Sequence, residues 1–336
     1  MSETMSGPEQ AAGRAAEPGT RIDPATQVGV VALTVADLAR SVAFYRDALG
    51  FAVLPQQEAG CAVLGAGGRP LILLAEHPGA RPWVVRATGL YHFAILVPSR
   101  ADLGRWLRHW LTSGHPMPGQ ADHLVSEALY LSDPDGNGIE IYRDRPRAEW
   151  RWEGGQVRMA VDPLDIPGLL DEGDERTQGD ERTQGDASGA AWAGMPAGTR
   201  LGHMHLQVGA IPAAEAFYHG VLGFDIVAQM PSALFVSAGG YHHHLGLNTW
   251  HSRGAGPAPA GTAGLRFFSL EVPSAAAREA IRARLQASGA EHLETGDGVL
   301  VARDPWQNAL LVRVGAAESA DAAHALSAAW RGAGGA

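Results

Sequence analysis

Ala43-Phe-Tyr-Arg-Asp-Ala-Leu49-Gly-Phe51 and Ala216-Phe-Tyr-His-Gly-Val-Leu222-Gly-Phe224 are two versions of one pattern, with each residue 173 positions from its counterpart. The same spacing links the strand-like runs ahead of them, Val28–Val35 (VGVVALTV) and Leu201–Val208 (LGHMHLQV). A spacing held without a gap over this span marks an internal duplication. A second pair is looser. Leu90–Val97 (LYHFAILV) precedes Pro98 and a helix-like stretch over 99–113. Leu265–Val272 (LRFFSLEV) precedes Pro273 and a helix-like stretch over 274–288, 175 positions on. Asp133-Pro134 and Asp304-Pro305 lie 171 apart, so a single four-residue deletion reconciles the two halves.

The chain therefore holds four modules, each a strand, a helix and several short strands, which is an α+β fold. The first strands show period-two character. The first helix carries apolar residues at helical spacing (Val42, Tyr45, Leu49), and the Gly of Leu-Gly-Phe suits the position just past a helix end. The later strands alternate with Gly, Asn and Pro turns.

Around the modules the sequence changes character. Residues 1–24 are polar, Gly/Pro-rich and aperiodic, and a disordered arm is expected. Residues 145–197 read as a linker. It contains Glu175-Arg-Thr-Gln-Gly-Asp180 repeated at once over 181–186, a polar repeat that cannot bury a core and suits a tolerant, disordered loop. Trp150, Trp152, Met159, Leu164, Ile166, Leu169 and Leu170 beside it are apolar enough to pack back on a domain. Residues 316–336 form an Ala-rich tail suited to a loose terminal helix. This leaves a first domain over 27–143 and a second over 198–314.

Composition excludes several functions. The 336 residues carry a net charge of −10 with no basic run, which disfavours nucleic acid and anionic membranes as partners. There is no apolar run long enough to span a bilayer, and the N-terminus lacks a signal-peptide core. The single Cys61 allows neither an internal disulfide nor a Cys-rich zinc site, so a reducing, cytoplasmic setting is expected.

The repeated βαβββ module with its Ala-Phe-Tyr…Leu-Gly-Phe resembles the vicinal oxygen chelate superfamily of glyoxalase I, bleomycin- and fosfomycin-resistance proteins and extradiol ring-cleaving dioxygenases. Within it, the four-module layout, His203-Met-His205 and Tyr241-His-His-His-Leu-Gly-Leu-Asn-Thr-Trp250 are similar to catechol 2,3-dioxygenases of the CatE type. A second run, His123-(x)5-Leu129-Tyr130-(x)2-Asp133-Pro134-x-Gly136-(x)3-Glu140, is similar to the extradiol signature and departs from it only at Ala121.

The resemblance implies modules that pair into cupped barrels, one divalent metal in a cup, and the first ligand on a module's first strand five residues before a Val. Module 2 has His92 there and module 3 His203, whereas modules 1 and 4 have Val30 and Phe267. Glu140 takes the last-strand carboxylate place, where module 4 has Leu311. Glu294 stands opposite His123. Only the pairing of modules 2+3 and 1+4 gathers His92, Glu140 and His203 in one barrel, a two-His, one-carboxylate set that leaves open positions on iron(II). The other barrel is then metal-free.

Strand alternation puts His203, His205 and Gln207 inward. The same alternation over 241–248 puts His242, His244, Gly246 and Asn248 inward. The resemblance implies an acid and a base for the reaction, and His123 of the signature run and the inward His244, with pKa values near neutrality, are the expected groups, with Tyr130 a hydrogen-bond donor. Asn248, Trp250 and His242 are expected to contact substrate. The implied activity is cleavage of a catechol-like aromatic diol by O2 on iron(II), with manganese, zinc and nickel as alternative ions. A glyoxalase-type isomerase or lyase and a metal-free binding protein are the rivals. The oligomeric state, a homo-oligomer included, is left open.

Overall fold

The computed structural model describes residues 21–56, 58–83, 86–179 and 192–335. Module 1 comprises β1 (Gln27–Val35), α1 (Leu38–Ala43), β2 (Ala52–Leu54), β3 (Cys61–Ala66) and β4 (Arg69–Glu76). Module 2 has β5 (Gly89–Leu96), α2 (Arg100–Thr112), β6 (Gly119–Asp122), β7 (Ser126–Ser132) and β8 (Gly138–Asp144). The connecting segment adds β9 (Trp152–Glu153), β10 (Gln156–Val157) and α3 (Ile166–Gly179). Module 3 has β11 (Arg200–Gln207), α4 (Ile211–Ala214), β12 (Asp225–Met230), β13 (Ala233–Ser237) and β14 (Leu245–Asn248). Module 4 has β15 (Gly264–Val272), α5 (Ala275–Ser288), β16 (His292–Glu294), β17 (Leu300–Arg303) and β18 (Ala309–Val314), and α6 (Ala320–Gly332) follows.

The strands form two eight-stranded sheets, ordered β12-β13-β14-β11-β5-β8-β7-β6 and β16-β17-β18-β15-β1-β4-β3-β2. Modules 2 and 3 thus share one sheet and modules 1 and 4 the other, each joined by its antiparallel first strands, β5 with β11 and β1 with β15. The two sheets and their helices enclose one large apolar core. Into it point Val31 and Leu33 of β1, Phe93 and Ile95 of β5, Met204 and Leu206 of β11, and Phe268 and Leu270 of β15.

The repeated motifs have a shared structural reason. Ser99 and Ser274, each after a Val-Pro pair, cap α2 and α5 by accepting the Asp102 and Ala277 N–H groups. Asp133 closes its turn by accepting the Asp135 and Asn137 N–H groups and the Asn137 amide, and it also takes the hydroxyl of Tyr45 at 2.9 Å. Asp304 does the same with Trp306, Asn308 and, at 3.0 Å, Tyr218. The Tyr of Ala-Phe-Tyr and the Asp of Asp-Pro are therefore one buried connection between neighbouring modules, made twice. Gly136 sits in the second-barrel-matched turn at φ +88°, and Gln307 occupies the corresponding place at φ +68°.

The Ala-rich tail is not loose. α6 is capped by Ser319 and buries Ala323, Leu326, Ala329 and Trp330 against Val30, Phe267 and Leu311. Those three are the counterparts of His92, His203 and Glu140, so the cup without ligand-type residues is filled by apolar packing.

The segments expected to be unstructured divide. Residues 1–20 and 180–191, the latter holding the whole second hexapeptide copy, lie outside the described residues. Within the expected arm, however, Ile22 is buried and donates its N–H to Gly223 at 2.8 Å. Within the expected linker, α3 packs on α2, where Gly104 and Gly173 lie face to face.

Candidate metal centre and its cavity

The concave face of the sheet shared by modules 2 and 3 carries two adjacent rows of paired residues. The first runs His203–Ala94–Glu140–Tyr130 across β11, β5, β8 and β7. The second runs Gly246–His205–His92–Gly138 across β14, β11, β5 and β8. Ala94 leaves room between its large neighbours. Gly246 is required by closeness, since a Cβ there would stand 2.9 Å from the His205 ring.

His92, Glu140 and His203 converge above Ala94. His92 Nε2 lies 3.0 Å and His203 Nε2 3.1 Å from one Glu140 oxygen, and the two nitrogens are 3.3 Å apart. All three side chains are buried. For metal–ligand bonds of about 2.1 Å, neighbouring ligand atoms of an octahedron lie about 3.0 Å apart and those of a tetrahedron about 3.4 Å. The observed separations suit one face of such a shell.

The charges suit a cation as well. Burial alone would raise the Glu140 carboxyl, but His203 first and then His92 outweigh it, and the group is held well below the ordinary carboxylate value. Burial pushes His203 down to about 4 against the pull of Glu140. Burial, with the neighbouring imidazoles, also holds His205 and His243 well below their usual value. The result is an ionised Glu140 carboxylate beside a His203 imidazole that burial keeps unprotonated and able to bind an ion.

A cavity of about 600 Å³ opens over this cluster. His123 and Tyr130 line it together, His123 Nε2 lying 2.6 Å from the Tyr130 hydroxyl. His123 Nδ1 is 2.7 Å from the Ala160 carbonyl, which can only accept, so Nδ1 carries a proton and a neutral ring leaves Nε2 to accept from Tyr130. Burial and then the Glu140 charge keep the Tyr130 hydroxyl well above its usual value, and therefore protonated. Met159, Ala160 and Val161 also line the cavity, so the segment read as a linker supplies part of the wall.

The expectations for 241–250 need correction. His243, not His244, lines the cavity, and its ring centroid lies 4.1 Å from that of His203. His244 is turned away toward Tyr241 and Phe224, and its Nδ1 accepts the Ala238 N–H at 3.1 Å. His242 lies behind the cavity wall, between His243 Nδ1 at 2.8 Å and Asp144 at 2.9 Å. Asn248 is fully buried and accepts the Trp250 N–H instead of lining the cavity. Trp250 does line it. For the histidines the alternation argument failed because β14 begins only at Leu245, whereas Asn248 ends that strand with its side chain bonded to the turn that follows. Residues 241–244 are an irregular bend, where successive side chains need not alternate.

Sequence reasoning also passed over His205, Tyr91 and Phe235 as lining residues. For His205 the signal existed, since it shares the inward parity of His203. For Tyr91 and Phe235 there was none.

With this geometry in view, the comparisons with known proteins can be read. The profile described as the Glyoxalase/Bleomycin resistance protein/Dioxygenase superfamily matches residues 27–141 and 200–312, and the chain belongs to that superfamily. A Catechol-2,3-dioxygenase of Bacillus subtilis (strain 168) is 42% identical over 304 residues, spanning 88% of this chain and 99% of that protein. A crystal structure from Bacillus subtilis subsp. subtilis str. 168, provisionally described as a dioxygenase, aligns with TM-score 0.57 at 13% identity over 88% of this chain and 86% of that one. Glyoxalase I from Zea mays aligns with TM-score 0.50 at 15% identity over 86% and 92%. These two structural likenesses speak to the fold alone.

Proposed function

We propose that this protein is a metal-dependent extradiol dioxygenase that opens the ring of a catechol-like aromatic diol with O2. The observation that carries the reading is the convergence of His92, Glu140 and His203, with ligand atoms 3.0–3.3 Å apart, beneath a cavity. The 42% identity to a catechol-2,3-dioxygenase supports the substrate class. These three residues would hold the ion, iron(II) by preference, with manganese, zinc and nickel as the ions to compare. Bound there, the metal would supply open positions for the diol and dioxygen and a path for electrons between them.

The protein's own groups handle protons and position. His123 Nε2 accepts the Tyr130 hydroxyl, so a diol hydroxyl bonded to the Tyr130 oxygen passes its proton through Tyr130 to His123 and recovers it later, and the Ala160 carbonyl holds the ring in the tautomer that permits this. Once His123 holds that proton and donates back to its oxygen, Tyr130 turns its own hydroxyl hydrogen to the oxygen at the reacting carbons. His243, over the His203 ring, replaces His244 as the second imidazole facing the substrate. Trp250 and Phe235 give the ring an apolar bed. The lone Cys61 fits a reducing compartment, and we place the protein in the cytoplasm; among the described residues no helix is long and apolar enough to cross a membrane.

The test is anaerobic reconstitution with iron(II), followed by oxygen uptake and the appearance of a yellow ring-fission product on adding catechol. Stoichiometric metal without oxygen uptake on any diol would refute the reaction.

A further inference from the structure

The inference concerns which diol the cavity admits, and it rests on the dioxygenase reading above. The floor is polar: Glu140 and the imidazoles around it. The outer wall is apolar, formed by Val125, Met159, Val161, Met230, Phe235 and Trp250. Neither Arg nor Lys lines the cavity among the described residues. Arg158, beside the lining residue Met159, is exposed to solvent and pairs with Glu153 at 3.8 Å, and the arginines that follow Glu140 are paired below the cavity. Arg143 lies 2.5 Å from Glu127, and Arg145 lies 2.5 Å from Asp122.

Among the described residues Glu140 is the one acidic side chain in the lining, and the chain as a whole carries −10. The diol oxygens would answer the charge of a metal on the floor, so a carboxylate on the ring would lie along the apolar wall with no side-chain cation to pair it. An unpaired buried charge is strongly disfavoured. The volume of about 600 Å³ is that of a site for a drug-sized ligand. A bare catechol, six carbons and two oxygens, fills only the floor and leaves the apolar wall wet.

From this we infer that the cavity selects catechols bearing a bulky, uncharged, apolar substituent and rejects those bearing a carboxylate. The two hydroxyls face His92, His203, Glu140 and the His123–Tyr130 pair, and the substituent lies along Met159, Val161, Met230 and Trp250. His205 lines the same floor, and burial keeps its imidazole from supplying a charge to hold an acid.

The test is calorimetric binding of 4-phenylcatechol, catechol and 3,4-dihydroxybenzoate to the full-length, iron(II)-loaded protein without oxygen, paired with oxygen uptake in air. The expected order is 4-phenylcatechol at least tenfold tighter than catechol and at least 100-fold tighter than 3,4-dihydroxybenzoate. Val161 is 80% exposed, so Val161→Arg can be made without disturbing the core, and it should narrow the gap between the first and third ligands about tenfold. Dihydroxybenzoate binding within tenfold of 4-phenylcatechol overturns the inference, as does binding of none of the three. Selective binding without oxygen uptake on any of them leaves the inference standing and removes the reaction proposed above.

Discussion

Glu140→Gln is the most informative single change. Its carboxylate oxygen is the common neighbour of both imidazoles, at 3.0 and 3.1 Å, and it supplies the cluster's only negative charge. The amide has the same size, so packing against Ala94 and Tyr130 persists while the charge is lost. Two imidazole nitrogens remain where three ligand atoms stood. Losing a partner outside the ligand set commonly weakens metal affinity about 10–100-fold, so loss of the anionic ligand itself should exceed that, by about 10³-fold or more. Linkage turns this into a stability difference. With free metal at about 1,000 times the dissociation constant, the wild type gains about 4 kcal/mol from binding, and the variant about 0.4 kcal/mol or less. The assay is denaturant unfolding with and without chelator, alongside metal analysis of dialysed protein. The wild type should hold one ion per chain and lose stability on chelation, and Glu140→Gln should do neither. Stoichiometric metal in the variant would refute the ligand assignment, and two ions per chain in the wild type would refute the unequal barrels.

Four further outcomes follow. His123→Ala should keep its metal but lower kcat about 10²–10⁴-fold, because it removes a proton-handling group and no ligand, as single-turnover kinetics with metal analysis would reveal. Trp330→Ala should cost about 3–5 kcal/mol in denaturant unfolding by hollowing the filled cup, yet leave metal content unchanged. Burial lowers His244 to about 3, so the folded state stays neutral where the unfolded chain, titrating near 6.5, binds a proton. Stability should therefore fall as pH drops from about 6.5 to 3, by on the order of 4 kcal/mol for this residue, and metal-free His244→Asn should show a slope shallower by about one proton across that window. Gln307→Gly, at φ +68°, should raise stability by about 1 kcal/mol by relieving left-handed strain, and no gain on thermal unfolding would mean the turn is unstrained.

Much of this protein is legible along the chain. The constant spacing of 173 disclosed the modules because a duplicated fold keeps its buried positions: Tyr45 and Tyr218 must both reach an Asp, and Ser99 and Ser274 must both cap a helix. The difference between copies was equally informative. His92 and His203 stand where the other modules have Val30 and Phe267, and that contrast pointed to which modules had to meet. Strand alternation then gave the inward positions of β5, β8 and β11, but in β14 it did not bring Asn248 to the cavity.

What only the tertiary structure decided lies where local periodicity has no hold. The bend at 241–244 obeys no alternation, so which of three consecutive histidines enters the cavity depends on the contacts of Tyr241, Ser237 and Asp144. The segment after Trp150 carries no motif, yet it folds over the cavity and sets the tautomer of His123 through a backbone carbonyl, a group identical in every residue. The Ala-rich tail has helix-forming composition but nothing that says where it docks. Its place follows from the apolar floor of the cup that lost its ligand-type residues, because exposing Val30, Phe267 and Leu311 to water is unfavourable and α6 is the nearest surface that can cover them.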